Sequence, residues 1–341
     1  MDHYYKDSLR PRRNTPLVNK VCGGLIEGKY YAVLGPMFIG KTSFLRQIEE
    51  RLNKEPGLRC LFVGLREYSN LPRIEYYRRL YRDIRDAIGI RSKDTSRITT
   101  RGILDGILQG VKERLIILFG GMEALNEDIS RELILTLRRC YDQRRIDERY
   151  NRLGAVVSGS INLLRLSRGR ASPYNIAETI LLEGLSEREG RIFIKGLKKG
   201  VSDEMVASLL SLTNGHPYLI REILQLVEGE DIDKAVDSFI KRGKEDACLE
   251  MVIRDLERSE ETFKVFRKMR EGRPLRFSKT ALPTEPEMSG LFKRGRDHTY
   301  EVSNEVFERF LNEYFDNQRL GDLYLLHGDW NTAKRFYKGN G

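Results

Sequence analysis

The sequence predicts an α/β protein built on a five-stranded parallel sheet, and three observations predict it. Short apolar runs of strand character alternate with longer segments of helical periodicity. The runs are apolar throughout rather than alternating, as strands covered by helices on both faces must be. A glycine-rich loop ending in Lys-Thr joins the first run to a helical segment.

Taken in order, the strands are Tyr30 to Leu34, Cys60 to Gly64, Leu115 to Phe119, Ala155 to Ser158 and Thr179 to Leu182. After the first of them, Phe44, Leu45, Ile48 and Leu52 set one apolar face on a helix. Ile74, Tyr77, Tyr81, Ile84 and Ile88 recur at three- and four-residue steps, with Gly89 as the stop signal of a second helix. Leu133, Leu137, Cys140 and Tyr141 mark another. Beyond about residue 185 the strands cease, and Ser186 to Gly196 and Ser202 to Leu212 read as short helices of a separate domain.

A length of 341 residues fits two or three domains of ordinary size. With 40% hydrophobic and 32% charged residues, the composition is that of a charge-rich globular chain and excludes wholesale disorder. The longest apolar runs fall far short of the roughly 20 residues of a membrane span, so no membrane partner is expected. Met-Asp-His-Tyr-Tyr-Lys at the start has the wrong character for a secretory leader, which makes the cytoplasm the expected compartment. Cys22, Cys60, Cys140 and Cys248 lack the spacing of a zinc site or a disulfide framework and read as reduced packing residues.

Sixty Lys and Arg against 50 Asp and Glu leave a net charge of +10, which favours anionic partners. The excess lies in two stretches, one with Arg152, Arg165, Arg168 and Arg170, the other from Lys264 to Lys279.

The strongest chemical signal is Gly35-Pro36-Met37-Phe38-Ile39-Gly40-Lys41-Thr42, followed by Ser43, which fits the phosphate-binding loop Gly-x-x-x-x-Gly-Lys-[Ser/Thr]. Such a loop wraps backbone N–H groups around a polyphosphate at a helix amino terminus, where the helix dipole favours negative charge. Gly35 and Gly40 permit the backbone path, Lys41 reaches the β- and γ-phosphates, and the Thr42 hydroxyl ligates magnesium. The expected cofactors are therefore ATP or ADP with Mg2+. The absence of an Asn-Lys-x-Asp guanine reader leans towards adenine.

Hydrolysis needs a carboxylate on a neighbouring strand to hold magnesium and orient water. The candidate strand, Leu115 to Phe119, ends instead in Gly120-Gly121. Glu123 is the nearest acid and is expected to open the next helix, where its ordinary role is a favourable helix-terminus charge. Glu67, just beyond the second strand, is the other candidate. Slow or absent turnover is the expectation.

These residues resemble the AAA-like domains of the signal-transduction P-loop NTPases (STAND), over nearly the whole chain. Ser172-Pro173-Tyr174-Asn175-Ile176 and Ile180 to Ser186 look like the approach to that group's last core strand, and Leu212-Thr213-Asn214-Gly215-His216-Pro217-Tyr218-Leu219 like the Gly-x-Pro element of its helical lid. Met288 to Arg294 with Thr299 to Asn304 resemble its winged-helix ending. The resemblance implies a lead-in at 1–28, a P-loop NTPase core at 29–185 with sheet order 5-1-4-3-2, a lid at 186–245, a winged helix at 246–317 and a helical tail at 318–341. It also implies a nucleotide-gated switch in signal transduction. His216 reads first as a structural lid residue and second as a nucleotide contact, and Pro217 as a helix start.

The alternative is a DNA-binding winged-helix ATPase resembling archaeal origin-recognition proteins. Against it, Thr284-Glu285-Pro286-Glu287 reads as a capping box whose two glutamates would face the phosphates of a DNA groove. A scaffold that binds no nucleotide is a further alternative. Finally, Leu320 to Tyr324, Gly328-Asp329-Trp330, Ala333 and Phe336-Tyr337 resemble the start of a tetratricopeptide repeat. A lone repeat leaves an apolar face to cover, so Leu323, Tyr324, Trp330 and Phe336 are expected to pack on their own chain or to mediate contact with a protein partner or a second copy.

Overall fold

The structure, a computed structural model, describes residues 10–90, 99–160, 176–229, 231–277 and 283–338. By their packing these form two units, one of Arg12–Gly35 with Gly40–Leu182, the other of Glu183 onward with Arg10, Pro11 and the four loop residues Pro36–Ile39.

The first unit begins with α1 (Thr15–Ile26), which the sequence reading left as a lead-in. Its start is chemically marked: the Asn14 side chain accepts from Leu17 N at 2.9 Å and Pro16 sits in the first turn. Val18, Val21, Cys22 and Leu25 are its buried face. Then follow β1 (Tyr30–Leu34), α2 (Lys41–Leu52), β2 (Leu58–Gly64), α3 (Arg73–Ile88), α4 (Thr100–Gly110), β3 (Arg114–Gly120), α5 (Glu127–Gln143), β4 (Leu153–Gly159) and β5 (Ala177–Leu181). Gly89 ends α3 in the left-handed conformation, φ 73°, as the sequence predicts.

The five strands form one parallel sheet in the order β2-β3-β4-β1-β5, which is the expected 5-1-4-3-2 read from its other edge. All of β1 and β4 is buried, and Leu115 to Phe119 in β3 are fully so. Strand β2 lies at an edge, which is why it admits Arg59, ion-paired with Glu113. Because β1 lies between β4 and β5 while its successor β2 lies at the far edge, the chain reverses direction at β1. In open α/β sheets that reversal, at the carboxyl ends of the strands, is where ligands bind.

The second unit is mainly helical: α6 (Glu187–Leu197), α7 (Asp203–Thr213), α8 (Pro217–Leu226), α9 (Ile232–Ile240), α10 (Ala247–Arg258), α11 (Glu260–Arg270), α12 (Glu285–Met288), the antiparallel pair β6 (Phe292–Arg294) and β7 (Tyr300–Val302), then α13 (Glu305–Tyr314), α14 (Asn317–Leu326) and α15 (Trp330–Lys338). Polar caps start most of them, among them Ser186 with Glu189 in a capping box, Ser202, Asp246, Ser259 and Asn304. One continuous core joins them, with Leu209, Ile223, Phe239, Leu249, Leu256 and Phe310 fully buried.

The structure corrects one expectation here and selects between two others. The glutamates of α12 do not face outward: Glu285 is buried and accepts from Ser259 Oγ at 3.1 Å, and Glu287 accepts from Thr284 N at 2.7 Å and from Arg294 Nη2 at 3.1 Å. The helix they open is one turn long. Burial needs partners for each carboxylate, and a serine and an arginine of the same unit supply them. The tail, in turn, largely covers its own apolar face: Leu320, Leu323 and Tyr324 are buried, the Tyr324 ring lies 5.2 Å from Phe263 and 5.3 Å from Phe336, and His327 stacks on Phe263 at 3.9 Å. Trp330 remains 65% exposed.

Arg165, Arg168, Arg170, Ser172 to Asn175 and Lys279 lie outside the described residues. Arg152 donates to the carbonyl of Leu108 at 3.2 Å, and Lys268 pairs with Glu271 at 2.7 Å, so part of each basic stretch is spent inside the chain. All four cysteines are free and buried, and burial pushes the Cys22 thiol up to about 11 and Cys140 to about 12, which keeps them unreactive at neutral pH.

Candidate nucleotide-binding site

The carboxyl end of β1 runs into the loop without a break. Gly40, at φ 95°, takes a backbone conformation that side chains disfavour, and α2 starts at the next residue. Phe44, Leu45, Ile48 and Leu52 are fully buried and anchor the helix, each contributing about 1.5–3 kcal/mol. The amino end of α2 carries no side-chain cap and no acid in its first turn, so its backbone N–H groups and dipole are presented to an anion. Thr42 is exposed there and Ser43 half-buried.

Lys41 curls back over the loop and donates from Nζ to the Gly35 carbonyl at 2.8 Å. It is 8% exposed, and loss of water pushes its pKa down to about 8, with Glu123 acting to raise it and Arg66 to lower it. A buried ammonium held beside helix N–H groups is a site waiting for phosphate oxygens to replace the lost hydration. Within the helical unit, Phe38 of the loop takes φ 59° and its ring lies 4.7 Å from Tyr218, whose hydroxyl donates to Asp246 at 2.8 Å.

The tip of β3 is arranged differently. A β-carbon placed on Gly120 would lie 2.6 Å from the Phe62 ring, and Arg46 covers that ring at 4.1 Å, so the space of a strand-end carboxylate is filled. Gly121 has φ 82°, and a β-carbon there would lie 3.2 Å from Arg66 Cγ. Glu123 does not open the next helix as expected. It lies in a 3-10 turn, Met122–Ala124, because Asn126 caps α5 and starts it at Glu127. Its side chain is 14% exposed and stands 3.4 Å from Arg66 Nη2. Glu67, in the turn after β2, is 55% exposed and 3.6 Å from Arg79.

His216 and Pro217 belong to the helical unit. His216 is buried and caps α8, its Nδ1 accepting from Leu219 N at 3.4 Å, and Pro217 is the first residue of that helix. Sequence reasoning missed Ser158. It is the penultimate residue of β4, is paired in register with Val33 and Gly120, and has a buried hydroxyl with no hydrogen-bond partner among the described residues. A polar residue closing an otherwise apolar strand was the available signal. Arg66 was missed as well, and nothing in its spacing marked it.

The residues fit a polyphosphate: a capless helix start, a left-handed glycine and a buried lysine converge on one cradle. For magnesium they offer the Thr42 hydroxyl but no strand-tip carboxylate, and among the described residues no three His, Cys, Asp or Glu side chains are grouped to hold a metal ion.

Residues 23–313 match the family described as the AAA-like domain. The chain belongs to the AAA-like domain family. Its fold is similar to that of a Walker-type ATPase of Pyrococcus abyssi, with a TM-score of 0.60 at 18% identity over 89% of this chain and 98% of that one. It is also similar to the ORC2 protein of Aeropyrum pernix in its ADPNP–ADP complexes, with a TM-score of 0.54 at 12% identity over 92% and 97% of the two chains. At such identities the likeness is one of fold, here that of P-loop ATPases. In sequence, the AAA-like chain is 29% identical over 129 residues to an uncharacterized WD repeat-containing protein of Synechocystis sp., covering 36% of this chain and 11% of that protein. The chain thus spans about a tenth of the length of the curated relative it matches. Among the described residues no helix is long and apolar enough to cross a membrane.

Proposed function

We propose that the chain is a nucleotide-binding regulatory switch of the STAND kind, holding ATP or ADP in the loop 35–42 with slow or absent hydrolysis and acting through protein assembly. In this reading residues 29–185 are the nucleotide core, 186–245 the lid, 246–317 a winged helix and 318–341 a repeat-like tail. Gly35, Gly40, Lys41, Thr42 and Ser43 bind the phosphates, with the Thr42 hydroxyl available to a magnesium ion arriving on the nucleotide. His216 acts through the lid helix that it caps.

One observation carries the reading: Lys41 and the capless α2 form a cradle, while the tip of β3 has Phe62 packed against Gly120, where a water-activating carboxylate would stand. Slow turnover is compatible with a switch, because the bound state then persists until nucleotide exchange. Within the helical unit, Phe38 of the loop packs on Tyr218 of the lid helix, 4.7 Å between rings. The exposed Trp330 and the match to a WD repeat-containing protein support a protein partner or a second copy at the tail.

Calorimetry with ADP and ATP, beside a phosphate-release assay, tests the reading: heat on mixing without phosphate release is expected. Failure of both nucleotides to bind sinks it, and brisk release removes its second half. The DNA-engaging reading draws on the exposed Arg296 and half-buried Lys293 beside the β6–β7 hairpin, but the one-turn α12 offers no groove-reading helix. A shift of duplex DNA at moderate salt is the outcome that would favour it.

A further inference from the structure

The β3 tip has exchanged its charge as well as its shape. Where relatives of this architecture need carboxylates, the chain has two glycines, and the side chain lying over the second of them is a guanidinium. Arg66 stands in the 3-10 turn Leu65–Tyr68, pinned at the carboxyl end of β2 by buried Leu65 and Tyr68. Its Cγ approaches within 3.2 Å of the point where Gly121 would carry a β-carbon, and its Nη2 stands 3.4 Å from Glu123. The Arg66 side chain is 58% exposed and so accessible to a ligand in solution. The Gly121 N–H donates to the Ser158 carbonyl at 3.1 Å and Ser158 pairs in register with Val33, so the β3 tip and the start of the loop lie at the same carboxyl edge of the sheet with one strand between them.

Resting on the nucleotide-binding reading above, we propose that Arg66 is a phosphate-binding residue that supplies the positive charge a magnesium ion would otherwise supply, so that nucleotide binding by this chain does not depend on a metal. A guanidinium presents paired donors that match phosphate oxygens and stays charged at every working pH. Magnesium, by contrast, holds its waters tightly and is normally fixed by one or two carboxylates together with the phosphates. Here Glu123 is already engaged by Arg66 and Glu67 by Arg79, and a cation at the β3 tip repels a second. Glu123 is thus a keeper of Arg66 in the empty site rather than a metal ligand.

The test is calorimetry on the full chain with ADP and with ATP, in excess magnesium and in excess chelator. Wild-type affinities are expected to agree within about threefold between the two buffers. Arg66→Ala is expected to weaken chelator-buffer binding by about tenfold or more, with Arg66→Lys recovering part of the loss. Glu123→Gln is expected to tighten chelator-buffer binding several-fold, by releasing Arg66 and removing a negative charge, whereas a metal ligand lost would weaken binding in magnesium. Unchanged thermal melts of the ligand-free variants establish that the fold is intact.

Loss of wild-type binding in chelator by more than tenfold, or indifference of chelator-buffer binding to Arg66→Ala, overturns the proposal while leaving nucleotide binding standing. Silence of the wild type in both buffers overturns the nucleotide reading and this one with it.

Discussion

At the carboxyl end of β1, glycine opens the backbone towards an anion; at the carboxyl end of β3, glycine makes room for a neighbour's ring. Both tips belong to one sheet and, through β4, lie two strands apart. The first keeps a left-handed Gly40, a capless helix start and a buried lysine. The second has Gly120 packed against Phe62 and Gly121 overlain by Arg66. The difference separates two tasks that share one architecture. In the function proposed above, gripping phosphate uses backbone and a lysine and survives loss of the acids, whereas splitting phosphate uses those acids and does not.

The contrast breaks most sharply at Lys41. Lys41→Ala removes the ammonium of the loop, and we expect nucleotide affinity to fall by about a hundredfold or more, read by calorimetry. Ligand-free stability is not expected to fall in step, because a desolvated ammonium is a cost to the empty fold. A variant that keeps wild-type affinity would remove the cradle from the account.

The β3 tip comes next. Gly120→Ala drives a methyl into the Phe62 ring and is expected to lower unfolding free energy by about 1–3 kcal/mol, measured by urea denaturation. Combined with Phe62→Leu, which vacates the contested space, the loss is expected to be smaller than the sum of the two single losses. Strict additivity would mean that the ring does not occupy the carboxylate position.

A smaller effect follows from pH. Lys41 is depressed from 10.5 to about 8 in the empty fold, so between those values the unfolded chain holds the extra proton and the ligand-free protein gains stability as pH rises. Phosphate oxygens restore the proton on binding. Affinity is therefore expected to fall by about tenfold from pH 7 to pH 9, with Lys41→Arg flattening the profile. A flat wild-type profile would mean that Lys41 stays charged without ligand.

Much of this was visible in the sequence because it is local. The loop motif, the five apolar runs and the caps at Ser186 and Ser202 each announce themselves within a few residues. Strand ends blurred where charged residues such as Arg59 and Arg114 interrupt the runs, although an edge position or a strand start tolerates them. Helix α4 escaped because Gly102, Gly106 and Gly110 weaken its propensity, even though Ile103, Leu104, Ile107 and Leu108 lie on one buried face. The site divides in the same way. Gly120-Gly121 could be read as a missing pair of acids, but Phe62 and Arg66 could not be read as their replacements. They arrive from β2 and the turn beyond it, through a sheet register that matches Val63 to Phe119 and Gly64 to Gly120.

The smallest effect bears on which acid belongs to the site. Glu67 and Glu123 both follow a strand, and the sequence offers no means of ranking them. In the fold Glu123 is nearly buried and acts on Lys41, while Glu67 is half exposed and faces Arg79 on α3. An exposed pair of that kind is screened by water and contributes little. Glu67→Gln is therefore expected to change nucleotide affinity by less than about twofold, and phosphate release not at all. If it instead moved either readout by tenfold, the turn after β2 would be supplying a carboxylate to the phosphates. The β3 tip would then have lost its acid to a neighbouring strand, and the separation of gripping from splitting would fail.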